Sequence, residues 1–277
     1  MAIRDILVHV DNSRSMPGRV RAAAELAKRH DAHLTGLYVI EIPVLPSYAE
    51  AQIPAAIIDA QRAILVSVAT AAGREFRGIA EKSDISFEWR CVEDRQIDAL
   101  SLHGHYADLL MVGQADPGDP ECTSRGLADH LALSSGRPVL VVPTGGVSGV
   151  IGDNIVVAWN ARREAVRAVS DAMPLLESAE RVSVVIINAN AEDPENAGIP
   201  AADIGLHLAR HGIETQTKSL FGAHAAIGGV LLDAAREENA DLLVMGAYGH
   251  ARLREVLLGG VTAHVLAHTH IPTLLSH

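Results

Sequence analysis

The chain repeats itself, and the repeat restricts the folds open to it. Ile6-Leu-Val-His-Val-Asp-Asn-Ser13 resembles Ile155-Val-Val-Ala-Trp-Asn-Ala-Arg162. Ala107-Asp-Leu-Leu-Met-Val-Gly113 nearly duplicates Ala240-Asp-Leu-Leu-Val-Met-Gly246, and Arg137-Pro-Val-Leu-Val-Val-Pro143 answers Ile271-Pro-Thr-Leu-Leu-Ser-His277. The first pair is offset by 149 residues, the second by 133 and the third by 134, so the first half carries about 16 extra residues in its middle. No shorter period recurs, which points to a duplicated domain rather than a solenoid.

Each half alternates apolar runs with helical periodicity. In the first half, strands are predicted at Ile3–Val10, Leu34–Ile40, Ser86–Val92, Asp108–Val112 and Val139–Val142. Between them fall helices Arg14–Arg29, about Ala56 to Lys82, Gln96–His103 and Ser124–Leu133. The extra residues sit around Pro43, Pro46 and Pro54. Thr144 to Gly152 holds four glycines and reads as the linker. In the second half, strands are predicted at Asn154–Ala158, Arg181–Ile187, Ile213–Ser219, Asp241–Met245 and the C-terminus. Its helices are Arg163–Leu176, Ala201–His211, Ala225–Glu238 and one ending near His268, with Asn188 to Pro200 a loop. The boundaries are thus 1–145 and 152–277. Strands alternating with helices imply α/β domains whose parallel sheets are covered on both faces. Ligands of such sheets lie at the carboxyl ends of strands where strand order switches, so Asn160 and Gly246 are expected to face one crevice.

Composition narrows the classes. Hydrophobic residues make up 48% of the chain and aromatics 3%, so small aliphatic side chains must fill the core. A formal charge of −11 argues against nucleic acid or an anionic membrane as partner. No run of 18 apolar residues suggests a membrane span, and Met-Ala-Ile-Arg-Asp leads directly into a strand without a signal-peptide pattern. Cys91 and Cys122 lack CxxC spacing; Cys91, in a strand-like run, reads as a small core residue. A cytoplasmic location is expected.

The most suggestive stretch is Gly246-Ala-Tyr-Gly-His-Ala-Arg-Leu-Arg-Glu-Val-Leu-Leu-Gly-Gly-Val-Thr262, between the fourth strand and the last helix. Glycines let the backbone approach a ligand, and a helix start offers free N–H groups to a phosphate. Gly246 and Gly249 would form one wall of a cradle, and Gly259, Gly260 and Val261 the other. The competing reading is an ordinary strand-to-helix connection. His250 could reach a phosphate. Arg252 and Arg254 could neutralise one or be solvated, and Trp159 and Tyr248 could stack on a base or pack.

Taken together, the spacing Gly246-x-x-Gly249-x9-Gly259, the opening Val10-Asp11-x-Ser13 and the Pro138–Val142 strand resemble the tandem-domain universal stress proteins, over both halves. The resemblance implies two similar domains, each a five-stranded parallel sheet in the order 3-2-1-4-5 with helices on both faces. It also implies binding of ATP or a related adenine nucleotide such as AMP, with or without Mg, and a regulatory output in stress adaptation. Carried over, Met245, Gly246, Gly249, Gly259, Gly260 and Val261 would surround phosphates and ribose, and Ile187 would line the adenine. Asn160 stands where the family has an Asp. Gly260 stands where a hydroxyl residue is usual, and Thr262 could partly replace it. In the first half, Asp11 and Val39 match, but Asp116 and Arg125 replace the later glycines. Asp116, Asp119 and Glu121 would repel phosphate, so this half is expected not to bind ATP through its loop and to serve a structural role.

Two other classes remain open: a slow ATP hydrolase using His250 or Glu255, and an interaction protein whose loop has lost its ligand. No P-loop and no Gly-x-Ser-x-Gly elbow occurs. His264 and His268, with His270 just beyond, His207 and His211, and His103 and His105 have metal-like spacings without convergent partners, and are expected to be structural or surface groups. The Val139–Val142 and Thr273–Ser276 edges could pair the two halves or pair two chains as a homodimer. A protein partner is implied but not identified.

Overall fold

The computed structural model describes residues 2–41, 54–122, 126–147, 149–187, 201–221, 227–247 and 260–277. The first half runs β1 (Asp5–Val10), α1 (Met16–His30), β2 (His33–Ile40), α2 (Ala55–Ser83), β3 (Phe87–Glu93), α3 (Gln96–Gly104), β4 (Leu109–Gly113), α4 (Leu127–Ser134) and β5 (Val139–Val142). The second runs β6 (Asn154–Ala158), α5 (Arg163–Leu176), β7 (Arg181–Ile187), α6 (Ala201–Arg210), β8 (Thr215–Leu220), α7 (Ile227–Glu237), β9 (Leu242–Gly246), α8 (Gly260–His268) and β10 (Thr273–Ser276). Expected and observed bounds mostly agree within two residues. The expected loop at 188–200 lies outside the described residues.

All ten strands form one sheet, ordered β3-β2-β1-β4-β5-β10-β9-β6-β7-β8. Each half keeps the 3-2-1-4-5 order and is parallel throughout. Apolar side chains alternate across it. Ile6, Val8 and Val10 of β1 join the core beneath α1, α2, α5 and α6. Leu7 of the same strand joins a second core beneath α3, α4, α7 and α8. Period-two alternation with apolar residues at every position is the signature of a strand buried on both faces. Helix α1 stops where expected: Lys28, Arg29 and His30 fill its last turn, and Asp31 adopts the left-handed conformation at φ 51°.

The seam between the halves is an antiparallel pair, with Leu274 opposite Leu140 and Leu275 opposite Val139. The edge pairing left open by the sequence is therefore made within the chain. A homodimer through these two strands is corrected on this ground, because their hydrogen-bonding edges are filled by each other. Arg29 reinforces the junction, donating to Asp153 Oδ1 at 2.7 Å, to the Ile151 carbonyl at 3.1 Å and to the Ser178 carbonyl at 2.9 Å. Among the described residues, the sheet's free edges are β3 and β8.

Two features depart from expectation. Helix α2 is 29 residues long, and its first half stands largely clear of the body, leaving Ile57 and Ile64 exposed while Phe76 and Ala80 are buried. By length and composition this helix could cross a membrane, although its second half is built into the core. Cys91, expected in the core, is exposed on the free-edge strand β3. An edge strand has neighbours on one side only, so a small apolar residue there need not be covered.

Candidate functional site

Strand register assembles one part of the expected site. Val157 lies opposite Val244, and Ala158 opposite Val185. Asn160, Ile187 and the Gly246–Ala247 step therefore share one level at the carboxyl ends of β6, β7 and β9. Asn160 is exposed, and its Oδ1 accepts the Arg162 N–H at 3.1 Å. Ile187 and Val261 pack against the apolar cluster that contains Met245. Register thus brings the β6, β7 and β9 ends to one level. Gly249, His250 and Gly259, like Tyr248, Arg252, Arg254 and Glu255, lie outside the described residues.

The glycines differ in what they do. A Cβ at Gly246 would lie 2.5 Å from the Glu164 carbonyl carbon and 2.6 Å from the Ala165 nitrogen. Glycine is therefore required there by the first turn of α5, whether or not a ligand is bound. Gly260 is the opposite case: it is exposed, and a Cβ would meet nothing within 4 Å. Its missing side chain answers no packing demand among the described residues, and it starts α8, where main-chain N–H groups have no intrahelical partner. Thr262, the expected substitute hydroxyl, is 3% exposed and sits on the buried side of α8.

In the first half a buried side chain, in place of helix backbone, lies over the matching glycine. Arg19 of α1 is 0% exposed. Its Nε donates to the His9 carbonyl at 2.8 Å, and its Nη2 lies 2.8 Å from Asp11 Oδ1. That second contact is an ion pair whose angles fall outside hydrogen-bond geometry, and Nη1 has no hydrogen-bond partner among the described residues. A Cβ on Gly113 would lie 2.1 Å from Nη1, so the guanidinium occupies the space above the first loop glycine. The equivalent position in the second half is Ala168. Asp11 also accepts from Ser13 N at 3.0 Å and Ser13 Oγ at 2.6 Å. Asp119 accepts from Arg14 N at 2.8 Å, so two carboxylates engage the amides at the start of α1. Beside them His9 is fully buried, with Nε2 3.1 Å from Gln96 Nε2, and burial holds its pKa down at about 4. The expected obstacle was repulsion from loop acids. The structure adds a larger one, a buried arginine. Its signal was present in the sequence as a charged residue between Met16 and Val20, on the apolar side of α1.

Other side chains fall as follows. Trp159 is partly buried and packs on the core. The His264 and His268 rings stack at 4.3 Å on exposed positions, with His268 Nδ1 2.8 Å from the His264 carbonyl. His207 and His211 lie 5.0 Å apart, and His103 is paired with Arg90 at 3.2 Å. Among the described residues no three His, Cys, Asp or Glu side chains converge as metal ligands.

Comparison with known proteins agrees with this architecture. The family model described as the universal stress protein family matches residues 2–143 and again 153–277. The curated universal stress protein Slr1230 of Synechocystis is 55% identical over 40 residues, a match spanning 14% of this chain and 14% of that relative. A crystal structure of a universal stress protein from Archaeoglobus fulgidus superposes with a TM-score of 0.76 at 16% identity, covering 98% of this chain and 95% of its own. One described as a putative universal stress protein from Pseudomonas aeruginosa superposes at 0.60 with 16% identity, covering 99% and 93%. At these identities the superpositions speak for the fold alone.

Proposed function

The chain belongs to the universal stress protein family, with two copies of the family domain, and on that premise we propose that its second half, 152–277, binds ATP or AMP while the first half, 1–145, does not. The observation that carries this is the contrast between the two crevices. In the first, the Arg19 guanidinium lies against Gly113 and pairs with Asp11. In the second, that position is Ala168, Asn160 is exposed, and α8 begins at Gly260, where an added Cβ would meet nothing within 4 Å among the described residues.

In this reading, Asn160 hydrogen-bonds the ribose or base, and Ile187 and Met245 supply the apolar wall. The start of α8 at Gly260, Val261 and Thr262 faces the phosphates, where aligned N–H groups favour negative charge. Gly249, His250 and Gly259 complete the loop. The N–H groups do not depend on side chains, so the loss of a hydroxyl at 260 and of a charge at 160 weakens binding without abolishing it. The output is regulatory, in stress adaptation: ordering of the loop around a nucleotide, with or without Mg, alters a surface that a protein partner reads. The cytoplasm is the expected setting.

The test is mass spectrometry of small molecules released from the purified full-length protein, followed by calorimetric titration with ATP and AMP. A bound adenine nucleotide, or a saturable heat with one site per chain, is the expected result. A flat titration with both, together with no released nucleotide, overturns the proposal.

A further inference from the structure

The residue that follows the fourth-strand glycine differs between the halves: Gln114 in the first, Ala247 in the second. Gln114 is buried and uses all its polar atoms. Its N–H donates to the Val142 carbonyl at 2.8 Å, and its carbonyl accepts from Cys122 Sγ at 3.5 Å. Side-chain Oε1 accepts the Thr144 N–H at 3.0 Å. Nε2 donates to the Leu266 carbonyl at 2.9 Å and the Thr269 carbonyl at 3.2 Å. These last two bonds cross from one half to the other and close the carboxyl end of α8. The Leu266 carbonyl belongs to the last helical turn, which has no intrahelical donor.

We propose that Gln114 is a positioning residue for the nucleotide crevice of the second half: it anchors α8 from behind and so fixes the helix start that faces the phosphates. The functional part rests on the nucleotide reading above. A nine-residue α-helix is about 13 Å long and moves as a stiff unit. Clamping one end therefore limits the swing of the other. Donors to a phosphate must be held within about 0.5 Å of their working positions. The support runs one way. Ala132 of α4 occupies the place of Leu266, and Ser135 that of Thr269, but the second half offers them Ala247, which has no side-chain amide to give. A loop that carries acids where the nucleotide loop carries glycines thus has a use in the duplicated chain. It holds the other half's phosphate helix.

Gln114→Met removes both donors and the acceptor at similar length. In the full-length protein without nucleotide, amide exchange over 260–268 is expected to quicken by about 10-fold or more, with β1 and β4 unchanged. The dissociation constants for ATP and AMP, measured by calorimetry, are expected to rise by about 3- to 10-fold, the loss of roughly one or two net hydrogen bonds. Thr144→Pro keeps the Gln114 side chain and removes the N–H that orients its amide, along with the threonine hydroxyl. It should shift both readouts the same way by less, and it stands in should the first variant not fold. Unchanged α8 exchange overturns the proposal. So does a uniform rise across all elements, which makes Gln114 merely structural, or faster α8 exchange with an unaltered dissociation constant in a protein that binds nucleotide. If the wild type binds neither ATP nor AMP, the nucleotide reading falls, and the α8 exchange result alone decides whether Gln114 is the anchor.

Discussion

Asp11 and Arg19 form a pair whose members depend on each other. A guanidinium at 0% exposure is tolerable only beside its counter-charge. Asp11→Asn leaves that cation uncompensated and is expected to lower stability by about 3–5 kcal/mol in urea unfolding. Replacing both together with apolar residues of matching volume is expected to cost far less, since the desolvation of two charges is removed along with their attraction. His9 adds a pH dependence. Its imidazole is neutral in the fold, with a pKa lowered to about 4 from 6.5 by burial. Between those values the unfolded chain binds a proton that the fold does not, so its contribution to stability is present above pH 6.5 and is lost as pH falls toward 4. The slope from this one group reaches at most about 1.4 kcal/mol per pH unit, and His9→Gln should flatten it. In the second half, a Cβ added at Gly260 meets no atom of the described residues within 4 Å, which favours Gly260→Ser. It restores a hydroxyl where a charged phosphate would receive it, worth roughly 1.5–3 kcal/mol, so calorimetry should show ATP binding tightened by about 10-fold or more. An unchanged or weaker affinity would mean that the phosphates do not lie at the start of α8.

At the scale of elements, strands such as β4, β5 and β9 were legible because their apolar runs are unbroken and bounded by helical periodicity, while β3 was read from its alternation. The observed β5, β6, β7 and α5 have the expected bounds. What the pattern could not reveal was what lies opposite each apolar residue. Helix α2 shows this. Ile57 and Ile64 lie seven residues apart, as on one face of a core helix, yet they are exposed because the helix outruns the strands it covers. Arg62, bonded to Glu93 by both Nε and Nη2, is a polar tie holding that overhang to β3. The overhang has few buried contacts, so its amides over 55–66 are expected to exchange about 10-fold or more faster than those over 72–83. Equal protection along the helix would show that the first half is covered in solution. Arg19 was legible as a charge on an apolar face, but its pairing with Asp11 was not, because helical spacing reports which face a residue takes, not whether a counter-ion waits there. The glycine motif was legible as a motif, but two of its members have opposite structural reasons. Gly246 is demanded by α5, while Gly260 is demanded by no contact among the described residues.

For the whole molecule, the antiparallel β5–β10 seam joins the two sheets into one. Val139, Leu140, Leu274 and Leu275 are buried there, and Arg29 bridges to Asp153 alongside. A protease site inserted near Gly145 and cut in the folded protein is expected to leave both halves co-eluting in gel filtration at the intact mass, since the seam and not the linker holds them. Separation of the fragments under native conditions would contradict the continuous sheet. The duplication could be read directly from repeated segments. The mode of joining could not, because an unpaired strand edge is equally suited to a partner in cis or in trans.

Because polarity reverses at that seam, the two crevices open toward opposite poles of the molecule. Helix α8 starts toward the pole of the second half and ends on Gln114 toward the pole of the first, a rod laid from one to the other.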